Sequence, residues 1–268
     1  MKKNFAVIGV GNMAKSIIAG ITSTDIPVSS FYLFDKYPTV CESYKNKNNF
    51  YIENDIVSAI EKSDCILLSV KPQNYNEVLS EIKKAKNFNK KLYISIGAGI
   101  TSKSVSDELC GANVIRVLPN LPMTIGMGAS VICKNENVSA EDFAFVESVF
   151  ASSGSTTLID ESDMNAIIGV TSSSPAYVFK FINAIYMGAE AQGLDTAGLL
   201  DIICDVVIGS AMLLKQSSDT PTELISKVAS KGGTTEQALL KLNDNNFDKI
   251  IEDAMIACTK RADELGKQ

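Results

Sequence analysis

The sequence predicts an α/β fold in two parts, a doubly wound, mostly parallel sheet followed by a smaller all-α domain. Three observations predict it. Short apolar runs alternate with longer amphipathic segments up to about residue 160, the pattern of parallel strands joined by crossover helices. From Glu161 onward helical periodicity continues while strand signals nearly vanish. The length of 268 residues suits two modest domains. The expected division is 1–160 and 161–268.

The strands follow in order. Phe5 to Gly9, Phe31 to Phe34, Cys65 to Ser69, Leu92 to Ile96 and Asn113 to Leu118 are rich in aliphatic or β-branched residues, Ser130 to Cys133 is a further candidate, and Ser155 to Ile159 reads as the last strand. Between them Met13 to Ile21, Asp55 to Lys62, Asn74 to Ala85 and Ser102 to Leu109 carry apolar positions near the helical period, with Asn, Asp or Ser available as caps. In the second part the run Thr171-Ser172-Ser173-Ser174 with Pro175, then Gly193, Pro221 and Gly232-Gly233, break the chain into four or five helices. Those helices carry more apolar surface than a small bundle can cover, so a second copy of the chain is expected to complete the core.

Composition narrows the chemistry. Hydrophobic residues make up 46% and charged residues 21%, as in a globular protein, and the net charge of -6 disfavours a nucleic-acid partner. There is no His, which removes the commonest general acid, the commonest metal ligand and every Ser-His-Asp arrangement, and no metal site is expected. The six cysteines (Cys41, Cys65, Cys110, Cys133, Cys204, Cys258) lie at least 23 residues apart and read as small, reduced, buried apolar residues. Met1 to Val10 lacks the apolar region of a signal peptide. Leu199 to Leu214 is interrupted by Asp201, Asp205 and Ser210, short of the roughly 18 apolar residues of a membrane span. A cytoplasmic protein without a membrane partner is expected.

The first strand ends in Gly9-Val10-Gly11-Asn12-Met13-Ala14 and runs into a helix, matching the G-x-G-x-x-[G/A] fingerprint of Rossmann-type dinucleotide binding. Gly9 permits the tight turn, Gly11 lets backbone approach a pyrophosphate, and Ala14 allows close helix packing. Asp35 ends the second strand 21 residues after Ala14, where an acid bonds the adenine-ribose hydroxyls of NADH; Lys36 beside it suits the 2′-phosphate of NADPH, so the preference between the two is open. An Asp there also serves as a plain turn cap. Ser69-Val70-Lys71-Pro72 ends the third strand, and Pro72 biases Lys71 towards an extended conformation at the carboxyl edge of the sheet. Ala98 and Gly99, and then Asn120, end later strands on the same edge. Each of these loops reads equally as a ligand-lining segment or a turn.

The segments GVGNMA, SVKPQ, SIGAGI, RVLPNLPMTIGMGAS, SSSPAYVFKFINA and KGGTTEQAL, in this order, resemble the pyrroline-5-carboxylate reductase family, and the resemblance runs essentially end to end. It implies an N-terminal cofactor domain, a C-terminal helical dimerisation domain, and a homodimer or larger assembly with active sites between subunits. It implies hydride transfer from NADPH or NADH to the C=N bond of 1-pyrroline-5-carboxylate, giving L-proline, the last step of proline biosynthesis. Carried over by motif, Gly9 to Ala14 and Ser69 to Pro72 hold the cofactor. Gly232, Gly233, Thr234 and Thr235 bind substrate, the glycine-turn amides cradling its carboxylate and the Thr235 hydroxyl bonding the ring nitrogen. Ser173 and Ser174 either line the same pocket or cap a helix. Four residues depart from the family pattern: Ser172 and Ser174 stand where Gly is usual, Leu121 where Thr is usual and Lys231 where Pro is usual.

Two rival readings have sequence-level tests. A 3-hydroxyacid dehydrogenase shares the first domain but needs a catalytic Lys in G-x-x-G-x-G-x-x-x-K-x-x-x-N; starting at Gly169, that pattern puts Val178 at the Lys position and Ile182 at the Asn position. Lys180 is two residues off and faces elsewhere on a helix. The other rival is a non-catalytic dinucleotide sensor, which the four departures leave open; tight cofactor binding without imine reduction would favour it. A related imine reductase with relaxed substrate choice is a third alternative.

Overall fold

The computed structural model describes residues 2–267. The chain divides into two compact units, Met1–Ser173 with Met255–Gln268, and Ser174–Ala254. This division falls later than residue 160 and returns the chain's last segment to the first unit.

The first unit holds strands β1 (Lys3–Ile8), β2 (Val28–Phe34), β3 (Phe50–Ile52), β4 (Cys65–Leu68), β5 (Leu92–Ser95), β6 (Asn113–Leu118), β7 (Gly128–Lys134) and β8 (Gly154–Leu158) in one sheet of order β3-β2-β1-β4-β5-β6-β7-β8. Every neighbouring pair is parallel except β6 with β7. The crossovers are α1 (Asn12–Thr22), α2 (Ile56–Glu61), α3 (Tyr75–Ile82), α4 (Ser102–Glu108) and α5 (Ala140–Ala151). Because successive side chains of a strand point to opposite faces, β1 feeds two cores. Phe5 and Val7 pack with Ile17, Ile18 and Ile21 of α1 and Val146, Val149 and Phe150 of α5, while Ala6 and Ile8 pack with Ile60 of α2, Leu79 and Ile82 of α3 and Val105 of α4. Each fully buried aliphatic side chain contributes roughly 1.5–3 kcal/mol.

Two elements were not expected from the sequence. Strand β3 is a three-residue edge strand with Tyr51 exposed, too short to show alternation. Helix α5 is crowded with Phe143, Phe145, Val146, Val149 and Phe150, residues of modest helix propensity. The structure caps its start, where Ser139 accepts from the Asp142 amide and Glu141 and Asp142 lie in the first turn. The cysteines need correction too: Cys41, Cys65 and Cys133 are buried, Cys204 and Cys258 are half-buried and Cys110 is exposed, all as free thiols.

The second unit is helical: α6 (Ser174–Ala191), α7 (Leu199–Gln216), α8 (Pro221–Val228), α9 (Thr234–Asp244) and the start of α10 (Phe247–Leu265). Helix α8 opens with a capping box in which Thr220 and Glu223 satisfy each other's backbone amides, and Pro221 takes the first turn, where a missing N–H costs nothing. Apolar residues stay outside: Phe179, Ile202, Val206 and Leu213 are each more than half exposed. No described helix is long and apolar enough to cross a membrane.

Back in the first unit, one charged side chain is wholly buried. Arg116 of β6 is 0% exposed. It donates to Glu161 Oε1 at 2.7 Å and to Asn165 Oδ1 at 2.6 Å, and Asn165 in turn donates to Asp263 of α10 at 2.7 Å. The other Glu161 oxygen accepts from the Ser102 backbone and hydroxyl and from the Cys133 thiol. Burial pushes the Glu161 carboxyl up, but the bonds from Ser102, Arg116 and Cys133 with the guanidinium charge outweigh it and hold it below the usual range. Burial pushes the Cys133 thiol up. A group whose folded pKa is depressed contributes stability above its unfolded pKa, here about 4.3, and loses it as pH falls through the folded value.

Removing one partner of a buried pair leaves the other uncompensated, so Arg116→Ala is expected to cost about 3–5 kcal/mol in urea denaturation at pH 7, and the paired replacement Arg116→Met with Glu161→Leu to recover most of it. A loss under about 1 kcal/mol would show that the network carries no structural weight.

Candidate active site

Strand β1 lies between β2 and β4, so the connections leaving β1 and β4 diverge at the carboxyl edge of the sheet, the place where open α/β sheets bind ligands. The backbone is tight there. The Gly9 amide donates to Phe34 O at 2.9 Å, and the Ser69 amide donates to Ile8 O at 2.9 Å. Gly9 has φ +90°, and a Cβ on it would stand 2.5 Å from the Ser69 carbonyl oxygen and 3.0 Å from Val70 Cγ1. Glycine is required by both conformation and space.

Gly11 is different. It precedes α1 with φ -73° and ψ -175°, a conformation open to any residue, and an added Cβ would meet no atom within 4 Å. Nothing inside the chain requires glycine at this exposed position. Helix α1 has no side-chain cap and no acidic residue in its first turn, which leaves the amides of Asn12, Met13 and Ala14 as donors at the positive end of the helix dipole. Ala14 is fully buried under the turn, and the Met13 side chain packs against the core below. This arrangement fits a pyrophosphate approaching from solvent.

Asp35, at the end of β2, accepts from the Val10 amide at 2.8 Å and from the Tyr37 amide at 2.9 Å, so it caps the turn as well as placing a carboxylate beside the glycine loop. Lys36 is exposed. Ser69 and Val70 adjoin Gly9, Lys71 is extended with φ -65° and ψ 147°, and Pro72 opens a short 3₁₀ turn into α3. The residue that fixes this edge was missed by sequence reasoning. The buried Tyr75 hydroxyl donates to Leu68 O at 3.1 Å, lies 3.0 Å from Ser95 Oγ and accepts from the Gly97 amide at 3.0 Å, bridging the ends of β4 and β5. Burial pushes its phenol up to about 12. A Cβ at Gly97 would strike the Tyr75 ring, a dependence between residues 22 apart with no local signal.

Other expected ligand residues are engaged by the fold itself. Ala98 packs in the cluster of Leu118, Met164 and Ala262, and Gly99, at φ +81°, faces the Ala262 and Gly266 backbone at the end of α10, too close for any side chain. Asn120 is buried, accepting from the Ala129 amide at 2.9 Å and donating to Thr171 O at 3.3 Å. The neighbouring Ser172 donates to Pro119 O at 3.1 Å, and Ser173 Oγ lies 3.1 Å from Cys258 Sγ. Through these contacts Asn120 and Ser172 pin the loop after β6, while Ser173 reaches α10. Leu121 is half exposed.

In the second unit Ser174 begins α6, and the Lys231-Gly232-Gly233-Thr234-Thr235 turn leads into α9 with Gly233 as its N-cap. Gly232 takes φ +74°, the left-handed conformation glycine allows. The turn's amides are only partly open: Gly233 N–H donates to Ser230 O at 3.0 Å and Gly232 N–H to Glu236 Oε2 at 2.8 Å. No side chain caps Thr234 and Thr235, the first two helical residues, whose amides have no intrahelical acceptor. Thr235 is half-buried and Lys231 is exposed. Among the described residues no group of three or more metal-ligating side chains is assembled.

Two family models match separate parts of the chain. Residues 161–265 match the family model for pyrroline-5-carboxylate reductase dimerisation, and residues 4–99 match that for NADP oxidoreductase, coenzyme F420-dependent. A pyrroline-5-carboxylate reductase of Methanosarcina acetivorans is 31% identical over 263 residues, 97% of each chain. The 1-pyrroline-5-carboxylate reductase structure from Streptococcus pyogenes superposes with a TM-score of 0.90 at 27% identity, covering 98% of this chain and 99% of that one. A Plasmodium falciparum pyrroline carboxylate reductase with NADP bound has the same fold, at a TM-score of 0.88, 24% identity and 98% coverage of both chains. With the divided sheet edge, the open helix start and the glycine turn all present in a chain that matches from end to end, the protein belongs to the pyrroline-5-carboxylate reductase family.

Proposed function

We propose that the protein reduces 1-pyrroline-5-carboxylate to L-proline with NADPH or NADH. The observation that carries the reading is Gly11: a glycine that neither backbone conformation nor internal packing requires, at the uncapped start of α1, in a chain that matches a relative of this family over 97% of each. The reduced nicotinamide supplies the hydride when bound. Gly9, Gly11, Asn12, Met13 and Ala14 hold its pyrophosphate through backbone, and Ser69 to Pro72 line the adjoining edge. Asp35 places negative charge at the ribose end and favours NADH; the exposed Lys36, and the NADP held by the Plasmodium relative, favour NADPH.

The substrate's cyclic C=N is protonated at nitrogen before reduction, so the chain has to orient an activated electrophile and exclude water, with no side chain needed to deliver a proton to that nitrogen as the carbon takes the hydride. That demand suits a sequence without His. The Gly232-Gly233-Thr234 turn holds the carboxylate at the positive end of α9 through those of its amides that can open to a ligand, and the Thr235 hydroxyl meets the ring nitrogen. Residues 161–268 serve substrate binding and self-association, and residues 1–160 the cofactor. The exposed apolar side chains of α6 and α7 are the surface of a homodimer or larger assembly, and the protein works in the cytoplasm on a small-molecule substrate.

Purified protein is expected to oxidise NADPH or NADH in the presence of 1-pyrroline-5-carboxylate with proline as product, each cofactor tested separately. Thr235→Ala should lower kcat/KM by the equivalent of about 1–3 kcal/mol, the scale of one well-placed hydrogen bond. Unchanged kinetics in that variant would remove Thr235 from the mechanism. Gly11→Val should weaken dinucleotide binding in a fluorescence titration at least about tenfold while leaving thermal stability nearly intact, since its side chain meets only solvent and ligand. Equal losses of binding and stability would instead mean that Gly11 serves the fold. Light scattering at low micromolar concentration should give at least a dimer; a monomer would sink the assembly reading.

A further inference from the structure

We propose that Glu236 is an internal stand-in for the substrate's carboxylate, which the substrate must displace from the glycine turn. The inference rests on the assignment of that turn to the imino acid and adds a residue that sets its selectivity. Glu236 is the third residue of α9, and its Oε2 accepts from the Gly232 amide at 2.8 Å, the length of a charge-assisted bond. The turn therefore already holds a carboxylate at one of its donors. An amide carries one hydrogen and serves one such acceptor well, so Glu236 and an incoming carboxylate exclude each other at Gly232. Two carboxylates at neighbouring amides also repel.

The rest of the turn makes the competition specific. The Gly233 amide is turned back to Ser230 O, which leaves Gly232 as the amide before the helix that an acceptor side chain occupies. Gly232 itself is in open space, with nothing within 4 Å of an added Cβ, so a ligand carboxylate can approach the turn that Glu236 occupies. A ligand that binds only the opened turn has its affinity reduced by the open fraction. A ligand without a carboxylate does not contest the amide and is insensitive to Glu236.

The test compares the full-length wild type with Glu236→Gln, which keeps size but removes charge, and Glu236→Ala, which removes the acceptor. The readouts are KM for 1-pyrroline-5-carboxylate, inhibition constants for L-proline and for pyrrolidine, the same ring without a carboxylate, and the thermal midpoint. Both variants are expected to lower KM and the proline constant by about three- to tenfold, the worth of one charge-assisted bond shared between competitors, and to leave pyrrolidine unchanged. A helix cap with no part in selectivity predicts the opposite sign, a raised KM with a lowered thermal midpoint, and that result overturns the proposal. Unchanged constants, or a fall shared by pyrrolidine, overturn it as well. A wild type that reduces no imine overturns the underlying reading of the turn and this proposal with it, a result distinct from normal turnover with unresponsive variants.

Discussion

The first unit depends on one close approach of backbone to backbone. Strand β1 is hydrogen-bonded on both sides, and the chain leaves it between the ends of β2 and β4, with the Ser69 carbonyl oxygen 2.5 Å from where a side chain at residue 9 would begin. Only a residue lacking Cβ and at ease at φ +90° passes through. That passage sets the direction of α1 and aims its first amides outward, and it brings Asp35 within 2.8 Å of the Val10 amide. The uncapped helix start is thus a by-product of the exit from the central strand.

Polar side chains then fix what lies around that exit. Tyr75 joins the ends of β4 and β5 through three partners, and Arg116 ties β6 through Glu161 and Asn165 to α10. Each sits where an unpaired polar group would cost several times what its bond returns, so each holds one geometry firmly. Among the described residues, Arg116 Nε is the buried side-chain nitrogen or oxygen without a partner, while both terminal guanidinium nitrogens are satisfied. Asn120 and Ser172 extend the scheme to the loop after β6, where small hydroxyl and amide groups bond backbone and leave the sheet edge rigid. Ser172, a departure from the family pattern, contributes a tether to Pro119 at that point.

The parts of this architecture that repeat locally were legible in the sequence. Apolar runs and helical periodicity located most strands and crossovers, Ser, Gly and Pro located the breaks between the C-terminal helices, and glycine spacing located the tight turn after β1. Strand β3 was illegible because three residues at a sheet edge carry too little pattern, and α5 because its aromatic and β-branched content mimics a strand. In the site, Gly9, Asp35 and Ser69 meet as their spacing implies. Ala98 and Gly99 read as ligand-lining because they are small residues at a strand end, and the sequence carries no sign that Gly99 also meets the backbone of a helix more than 150 residues later. Tyr75 and Arg116 were missed for the same reason: a phenol or guanidinium declares its partners only after the strands have been brought side by side.

The two glycine turns show how one residue type answers different constraints. Gly9 is fixed by the fold and tolerates nothing else, whereas Gly11 is free of the fold and so points outward, to whatever approaches it. At the second turn Gly232 supplies the left-handed backbone, yet its amide is already bonded by Glu236. A helix start that binds anions cannot distinguish a ligand's carboxylate from one supplied by its own chain, because the donors and the dipole are the same for both. Where the first turn of α1 has no acid and the first turn of α9 has one, the same local chemistry yields an open site in one unit and a contested one in the other.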